Sequence, residues 1–248
     1  MADGPDPYAL AEHGITKSLL DMTKVPTLDI LFNATMRHSE LPLFRGAVIK
    51  ALPHDSVLFH NHLGEGLRYG YPLIQYKTIK GNAAIICIGK GTESVWDFFA
   101  GNNFDLTLGS RKVVAAVDAV NDVSTDITIA DAVCHKYSIQ SWLPFNQSNY
   151  HQFKTTESLT KKIEMLNRIL TGNILTMLKG VDIMLSDRLI VDIMSISEPK
   201  PVRYKNIKVL SLDATFQSNV SIPEHIGLGK HASLGFGTVT NLKHETKL

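Results

Sequence analysis

Strand-like and helical segments run along this chain in the order β-α-β-β-α-β, and the cycle begins a second time after its midpoint. That order predicts an α+β protein of two tandem ferredoxin-like (RRM-like) domains. Size and composition agree: 248 residues suit two small domains, and 44% apolar content is enough to give each a core. The predicted division is an N-terminal extension over residues 1–24, a first domain over 25–122 and a second over 123–248.

The elements follow in order. Residues 26–36 read as a strand entered from a turn. Residues 43–52 carry apolar side chains at helical spacing and stop at Pro53, which cannot continue a helix. Two strands, 72–79 and 82–89, meet at Lys80-Gly81-Asn82, a hairpin signal. A short helix over 91–100 with Thr92 as its N-cap comes next, then one or two strands over 104–117. The polar pair Asn121-Asp122 marks the turn into the second cycle. Residues 127–145 read as strand, and a helix capped by Thr156 runs to about residue 179. Leu159, Ile163, Leu166, Ile169, Leu170 and Ile174 line one side of it. Gly172 weakens its second half by about 1 kcal/mol relative to Ala. Strands over 189–197, 204–213 and 215–220 precede a glycine-rich loop and a last strand.

Charge and cysteines set bounds. Lys and Arg total 25 against 24 Asp and Glu. The first half sums to roughly −2 and the second to roughly +3, so any nucleic-acid contact needs a local basic face. Cys87 and Cys134 stand alone in strand-like runs, which fits a reduced, cytoplasmic setting. No stretch is long enough to span a bilayer, and the polar start lacks the features of a signal peptide.

The most informative motif is Gly227-Leu228-Gly229-Lys230-His231-Ala232-Ser233-Leu234-Gly235-Phe236-Gly237, two Gly-hydrophobic-Gly steps around a short middle. Such glycines let a backbone approach a ligand closely, and outward N–H groups beside Lys230 would make an anion site. It is not a dinucleotide fingerprint, because Ala232 stands where the third glycine belongs and no βαβ unit follows. It is not a nucleotide-triphosphate loop either, because His231 follows Gly229-Lys230 where Ser or Thr is needed. A glycine-rich hairpin before the last strand is the plainer reading, and composition leaves both open.

This loop resembles the hallmark of the RAMP superfamily of CRISPR-associated proteins, and within it the endoribonucleases that cut precursor CRISPR RNA inside its repeats. The stretch Leu41-Pro42-Leu43-Phe44-Arg45-Gly46-Ala47-Val48-Ile49-Lys50-Ala51-Leu52 is similar to that family's first helix. Phe59-His60-Asn61-His62 resembles its active-site loop, and Arg68-Tyr69-Gly70-Tyr71-Pro72-Leu73-Ile74-Gln75-Tyr76-Lys77 the strand that follows. The resemblance implies two ferredoxin-like domains, repeat RNA as partner, other CRISPR-associated proteins as further partners, and a homodimer.

Metal-independent RNA cleavage needs a base for the 2′-OH and an acid for the leaving 5′-oxygen. Histidine suits both tasks, with an unperturbed pKa of about 6.5. His60 and His62 supply two imidazoles, Lys50 a cation and Tyr69 a hydroxyl for the charge that develops on phosphorus. The resemblance implies the same group, because the family's smaller subtype pairs His-x-His with a Lys and a Tyr. The pair could also bind zinc, but no further Cys/His cluster supplies the remaining ligands, so no cofactor is expected.

Gly227, Gly229, Lys230, His231, Ser233, Gly235 and Gly237 are the candidate RNA contacts of the loop, with no catalytic role for His231. Lys200, Arg203, Lys205 and Lys208 form a basic cluster around a strand, of which Arg203 and Lys205 are the candidate contacts. Tyr204 and Phe216 are either base-stacking or core, and Trp142 reads as packing. His38 reads as solvated; Arg37, Arg45 and Lys77 are either part of an RNA path or ordinary surface charges, the second being the preferred reading. The expected activity is endoribonucleolytic, giving 2′,3′-cyclic phosphate and 5′-OH ends. The alternative is a RAMP-type RNA-binding subunit of an effector complex that does not cut, and His60-x-His62 near Tyr69 separates the two.

Overall fold

The computed structural model describes residues 23–51, 62–63, 66–67, 70–95, 105–204 and 207–242. Among these, β1 (Thr23–Thr35) leads into a short 3-10 turn and helix α1 (Leu41–Ala51). Two dipeptide strands follow, β2 (His62–Leu63) and β3 (Gly66–Leu67), then β4 (Ile74–Ile79) and β5 (Asn82–Ile88). A small hairpin, β6 (Asp105–Leu108) and β7 (Arg111–Val114), precedes the long β8 (Val117–Ile127). The second half contains β9 (His135–Trp142), α2 (Gln147–Thr155), α3 (Leu159–Gly180), β10 (Val191–Ile196), β11 (Lys200–Tyr204), β12 (Ile207–Ser218) and β13 (Thr238–Asn241).

The main sheets repeat one topology. The first has the order β4-β5-β1-β8 and the second β10-β12-β9-β13, antiparallel throughout. In each, the first and third strands of the cycle lie in the middle, the arrangement of a ferredoxin-like domain. The fold class read from the sequence is therefore the one observed. In the second domain the crossing from β12 to β13 is made by the glycine-rich loop, where the ideal cycle has a helix.

The hairpin between β4 and β5 turns at Lys80 and Gly81, with φ of 50° and 82°. Positive φ at both positions matches the twist of the strands on either side. β5 is buried on both faces, and its alternate residues serve different cores. Ala83, Ile85 and Cys87 pack with Phe32, Phe44 and Val48 under α1. Ala84, Ile86 and Ile88 pack with residues of the second domain, Trp142, Met177 and Leu228 among them. One sheet thus shares a face with each half of the molecule.

Several expectations are corrected. Thr23 and Lys24, assigned to the extension, already pair with β8; residues 1–22 lie outside the described set. Asn121-Asp122 is no turn: both residues pair with β1 inside β8. Thr92 does not open a helix; its hydroxyl donates to the Gly89 carbonyl at 2.9 Å and closes a 3-10 turn. The long helix of the second domain starts later than predicted. Thr156 ends α2 in extended conformation, and Ser158 caps α3 by accepting from the Lys161 N–H. The strands expected over 204–213 and 215–220 are one continuous strand, β12 over Ile207–Ser218, while Tyr204 ends β11; a register shift at Leu212/Ala214 turns the Asp213 carboxylate to the Ser141 N–H at 2.7 Å. No described helix is long and apolar enough to cross a membrane.

Candidate nucleic-acid interface

The glycine loop is closed on itself at its base and pinned to the first domain along one side. Leu228 N–H donates to the Gly237 carbonyl at 2.8 Å, and Val239 N–H to that of Ile226 at 2.8 Å. Gly237 N–H reaches back to Ser141 of β9 at 3.2 Å. On the other side the loop covers β4, an edge strand whose backbone would otherwise lack a second neighbour. Tyr76 N–H donates to the Ser233 carbonyl at 2.9 Å, and Tyr76 and Leu234 form a parallel bridge.

Three side chains complete the seam. Gln75 Oε1 accepts from Gly227 N–H at 2.7 Å, and its Nε2 donates to the Tyr71 hydroxyl at 2.9 Å. Tyr71 in turn donates to the Gly227 carbonyl at 2.9 Å. Lys77 Nζ donates to the Ala232 carbonyl at 3.0 Å and has no exposed surface. Burial lowers its pKa from the ordinary 10.5 to about 7. Lys77 is therefore not the surface charge expected.

His38 is also corrected. Its ring meets Phe236 edge-on at 4.5 Å, and its Nε2 is buried against Gly235 without a well-formed hydrogen bond. Burial holds its pKa below the usual value, aided by the Lys77 charge and opposed by the Gly235 backbone.

These contacts divide the loop. Gly227, Gly235 and Gly237 are buried, and the amides of Gly227 and Gly237 are used by the fold, so these two are not among the outward N–H groups expected of the loop. A side chain at Gly237, where φ is +62°, would strike the Leu228 carbonyl. Ser233 is half-buried, with its carbonyl given to Tyr76. Gly229 packs on Trp142, whose indole N–H donates to Asn173 Oδ1 at 3.0 Å. What reaches solvent is the tip, Lys230 and His231. Most of the motif's glycines thus serve packing, as in the plainer hairpin reading, while Lys230 and His231 in its middle are exposed.

The basic hairpin of β11 and β12 stands beside this tip. The Tyr204 ring lies 3.9 Å from that of His231 and meets Phe236 edge-on at 6.1 Å. Tyr204 thus joins the hairpin to the loop, while Phe216 is core, 5.1 Å from Tyr137. Arg203 pairs in register with Lys208, and both are exposed; Lys200 approaches Asp213 at 3.9 Å. Lys205 lies outside the described residues.

Two cavities flank Lys230. One of about 330 Å³ lies at the seam between the domains, lined by Tyr71, Asn149, Asn173 and Thr176 among others. The other, of about 520 Å³, opens between the hairpin, the start of α2 and the loop tip. Sequence reasoning missed both, and it missed Tyr71 and Gln75 as the clasp on the loop. Only the place of Tyr71 and Gln75 within the family-like stretch 68–77 pointed there.

The nominated catalytic group is only partly described. Lys50 is exposed in the last turn of α1, and the His62 backbone pairs with Leu67 in the β2–β3 ribbon. His60, Tyr69 and the His62 side chain lie outside the described residues.

Comparison with known proteins decides the family. Residues 23–126 match the Cas6b N-terminal domain, and residues 129–242 the Cas6b C-terminal domain. The chain belongs to the Cas6b family. The resemblance to the RAMP-type repeat-processing endoribonucleases is thereby borne out. An uncharacterized protein of Methanocaldococcus jannaschii is 34% identical over 105 residues, covering 42% of this chain and 70% of that one. A crystal structure of Cas6b is 26% identical with a TM-score of 0.80, over 89% of this chain and 100% of the other. A second, of the CRISPR RNA processing endoribonuclease Cas6b, is 24% identical with a TM-score of 0.69 over the same shares, 89% and 100%. Thermus thermophilus Cas6 is 11% identical with a TM-score of 0.51, over 89% of this chain and 99% of that one. The last two likenesses speak to the fold alone.

Proposed function

We propose that this chain is an endoribonuclease that cuts precursor CRISPR RNA within its repeats. The observation that carries this reading is a glycine loop pinned at the seam of two ferredoxin-like domains, presenting Lys230 and His231 beside a cationic hairpin, in a member of the Cas6b family. The first domain does the cutting and the second holds the RNA. Contacts to phosphate and 2′-OH groups at the loop tip and Arg203 suit a protein of nearly neutral net charge.

In the reaction, one of His60 and His62 takes the proton from a ribose 2′-OH. The O2′ attacks the adjacent phosphorus, the P–O5′ bond breaks, and the other histidine gives its proton to O5′. Tyr69 and Lys50 stabilise the negative charge on the phosphorane. The products carry a 2′,3′-cyclic phosphate and a 5′-OH, and no metal takes part. The same proposal includes a cytoplasmic protein that keeps the cut RNA, works beside other CRISPR-associated proteins and pairs as a homodimer.

The test is incubation of end-labelled repeat RNA with the parent and with a His60→Ala/His62→Ala variant, in EDTA. A single cut by the parent, lost in the variant while RNA binding survives, is the expected outcome. Loss of cutting in EDTA that added Mg²⁺ restores would overturn the metal-free mechanism. Binding by both proteins without a cut by either would make the chain a guide-holding subunit.

A further inference from the structure

Beside the loop tip, three elements enclose an apolar cavity of about 520 Å³. Leu143 and Phe145 line it from the turn after β9, Tyr150 from α2, and Ile207 and Val209 from β12. Lys208, Lys230 and His231 also border it, and no carboxylate does so among the described residues. Its volume is within the range of small-molecule sites, which are mostly apolar with a few polar groups at the edge. Two large apolar side chains are left in solvent here: Ile207 is 64% exposed and Tyr150 is 38% exposed. An apolar floor with a cationic border has the chemistry of a base and its phosphate, since every nucleobase has an apolar face and carries anionic neighbours.

We propose that this cavity receives one unpaired nucleobase of the bound RNA, with its phosphate beside Lys230. The inference rests on the RNA-binding reading above and adds a site to it. Lys230 borders both this cavity and the polar cleft at the seam, so a strand crossing the loop tip places one phosphate between them. The base turns into the apolar side. The next nucleotide meets the amide and hydroxyl groups of Asn149, Asn173 and Thr176 on the other side. Gln147 supplies an amide at the border of the apolar cavity to meet a base edge. Stacking and desolvation of this kind accept any base, so the site favours single-stranded over paired RNA rather than one sequence over another.

The test separates base from phosphate. Fluorescence anisotropy would give the affinity of the full chain for decauridylate, decaadenylate and a ten-unit abasic ribose-phosphate chain. The parent should hold the base-bearing chains about tenfold more tightly than the abasic one, the lower end of base–aromatic stacking. Tyr150→Ala/Ile207→Ser should erase that ratio and leave the abasic affinity unchanged. Ile207→Ser alone, at a position 64% exposed and so of little weight in the core, should reduce the ratio part of the way. Lys208→Gln should weaken all three chains alike. Tight RNA binding whose ratio survives both cavity variants would overturn the base site and leave the RNA reading standing. Failure of the parent to bind any of the three would overturn both.

Discussion

Lys77 has a charged side chain with no exposed surface. Its ammonium sits beneath the glycine loop with one acceptor, the Ala232 carbonyl, and its pKa is lowered to about 7. In the unfolded chain the amine stays protonated to about pH 10.5; in the folded chain it does so only to about 7. Between these limits the unfolded state binds more protons, so stability rises with pH. Below about pH 7 both states are protonated, and the folded state bears the full desolvation cost. His38 gives a separate contribution of the same sign at lower pH: its pKa is held below 6.5, so just below that value the unfolded state binds the proton first and stability again rises with pH. The expected result is a urea midpoint that climbs from about pH 7 to about 9.5, by up to ~1.4 kcal/mol per pH unit. In Lys77→Met the climb should be much flatter and stability near neutral pH higher. Parallel curves for the two proteins would mean that Lys77 keeps its charge in the folded state.

At the scale of elements, glycines in different settings should respond in opposite directions. Gly172 lies inside α3 with nothing within 4 Å of an added Cβ, so Gly172→Ala should stabilise by about 0.5–1 kcal/mol through helix propensity. At Gly237 the positive φ and the Leu228 carbonyl leave no room, and Gly237→Ala should destabilise by at least about 2 kcal/mol. Denaturant unfolding of both variants checks the pair. The same contrast explains what was legible beforehand. The apolar run 83–88 and the Lys80-Gly81 turn state local preferences, and the structure follows them. Asn121-Asp122 looked like a turn because β8 is an edge strand with its middle residues exposed, so polar side chains cost nothing there. Thr156 looked like a helix cap because both it and Ser158 have the right side chain. The Thr156 hydroxyl is instead spent at the end of α2, donating to the Gln152 carbonyl at 2.8 Å, and Ser158, next to the first residue of α3, accepts from the Lys161 N–H. The loop motif was visible as a motif, but which glycines pack and which residues face solvent depends on β4, about 150 positions away in the chain.

For the whole molecule, the question is what makes two ferredoxin-like domains act as one surface. Apolar contact across the β5 face, in which Leu228 of the loop takes part, joins the halves. At the loop base the polar clasp centres on Gln75, which is fully buried and takes part in three hydrogen bonds: from Gly227 N–H, to the Tyr71 hydroxyl and to the Pro72 carbonyl. Its amide is thus the joint at which β4, the seam and the loop base meet. Gln75→Ala leaves the Gly227 N–H without its acceptor and removes the donor that positions Tyr71, a cost of about 1–3 kcal/mol for the orphaned amide alone. That loss falls on the docking of the loop rather than on either sheet, because the ladders β1–β5 and β9–β12 contain none of these bonds. Amide hydrogen exchange should therefore speed up by about tenfold or more at residues 227–234 while the central strands keep their protection. RNA affinity should fall together with the protection of the loop, since Lys230 and His231 are held at the end of this joint. A uniform rise in exchange over both domains would mean that Gln75 supports the fold at large and that the β5 face alone positions the loop.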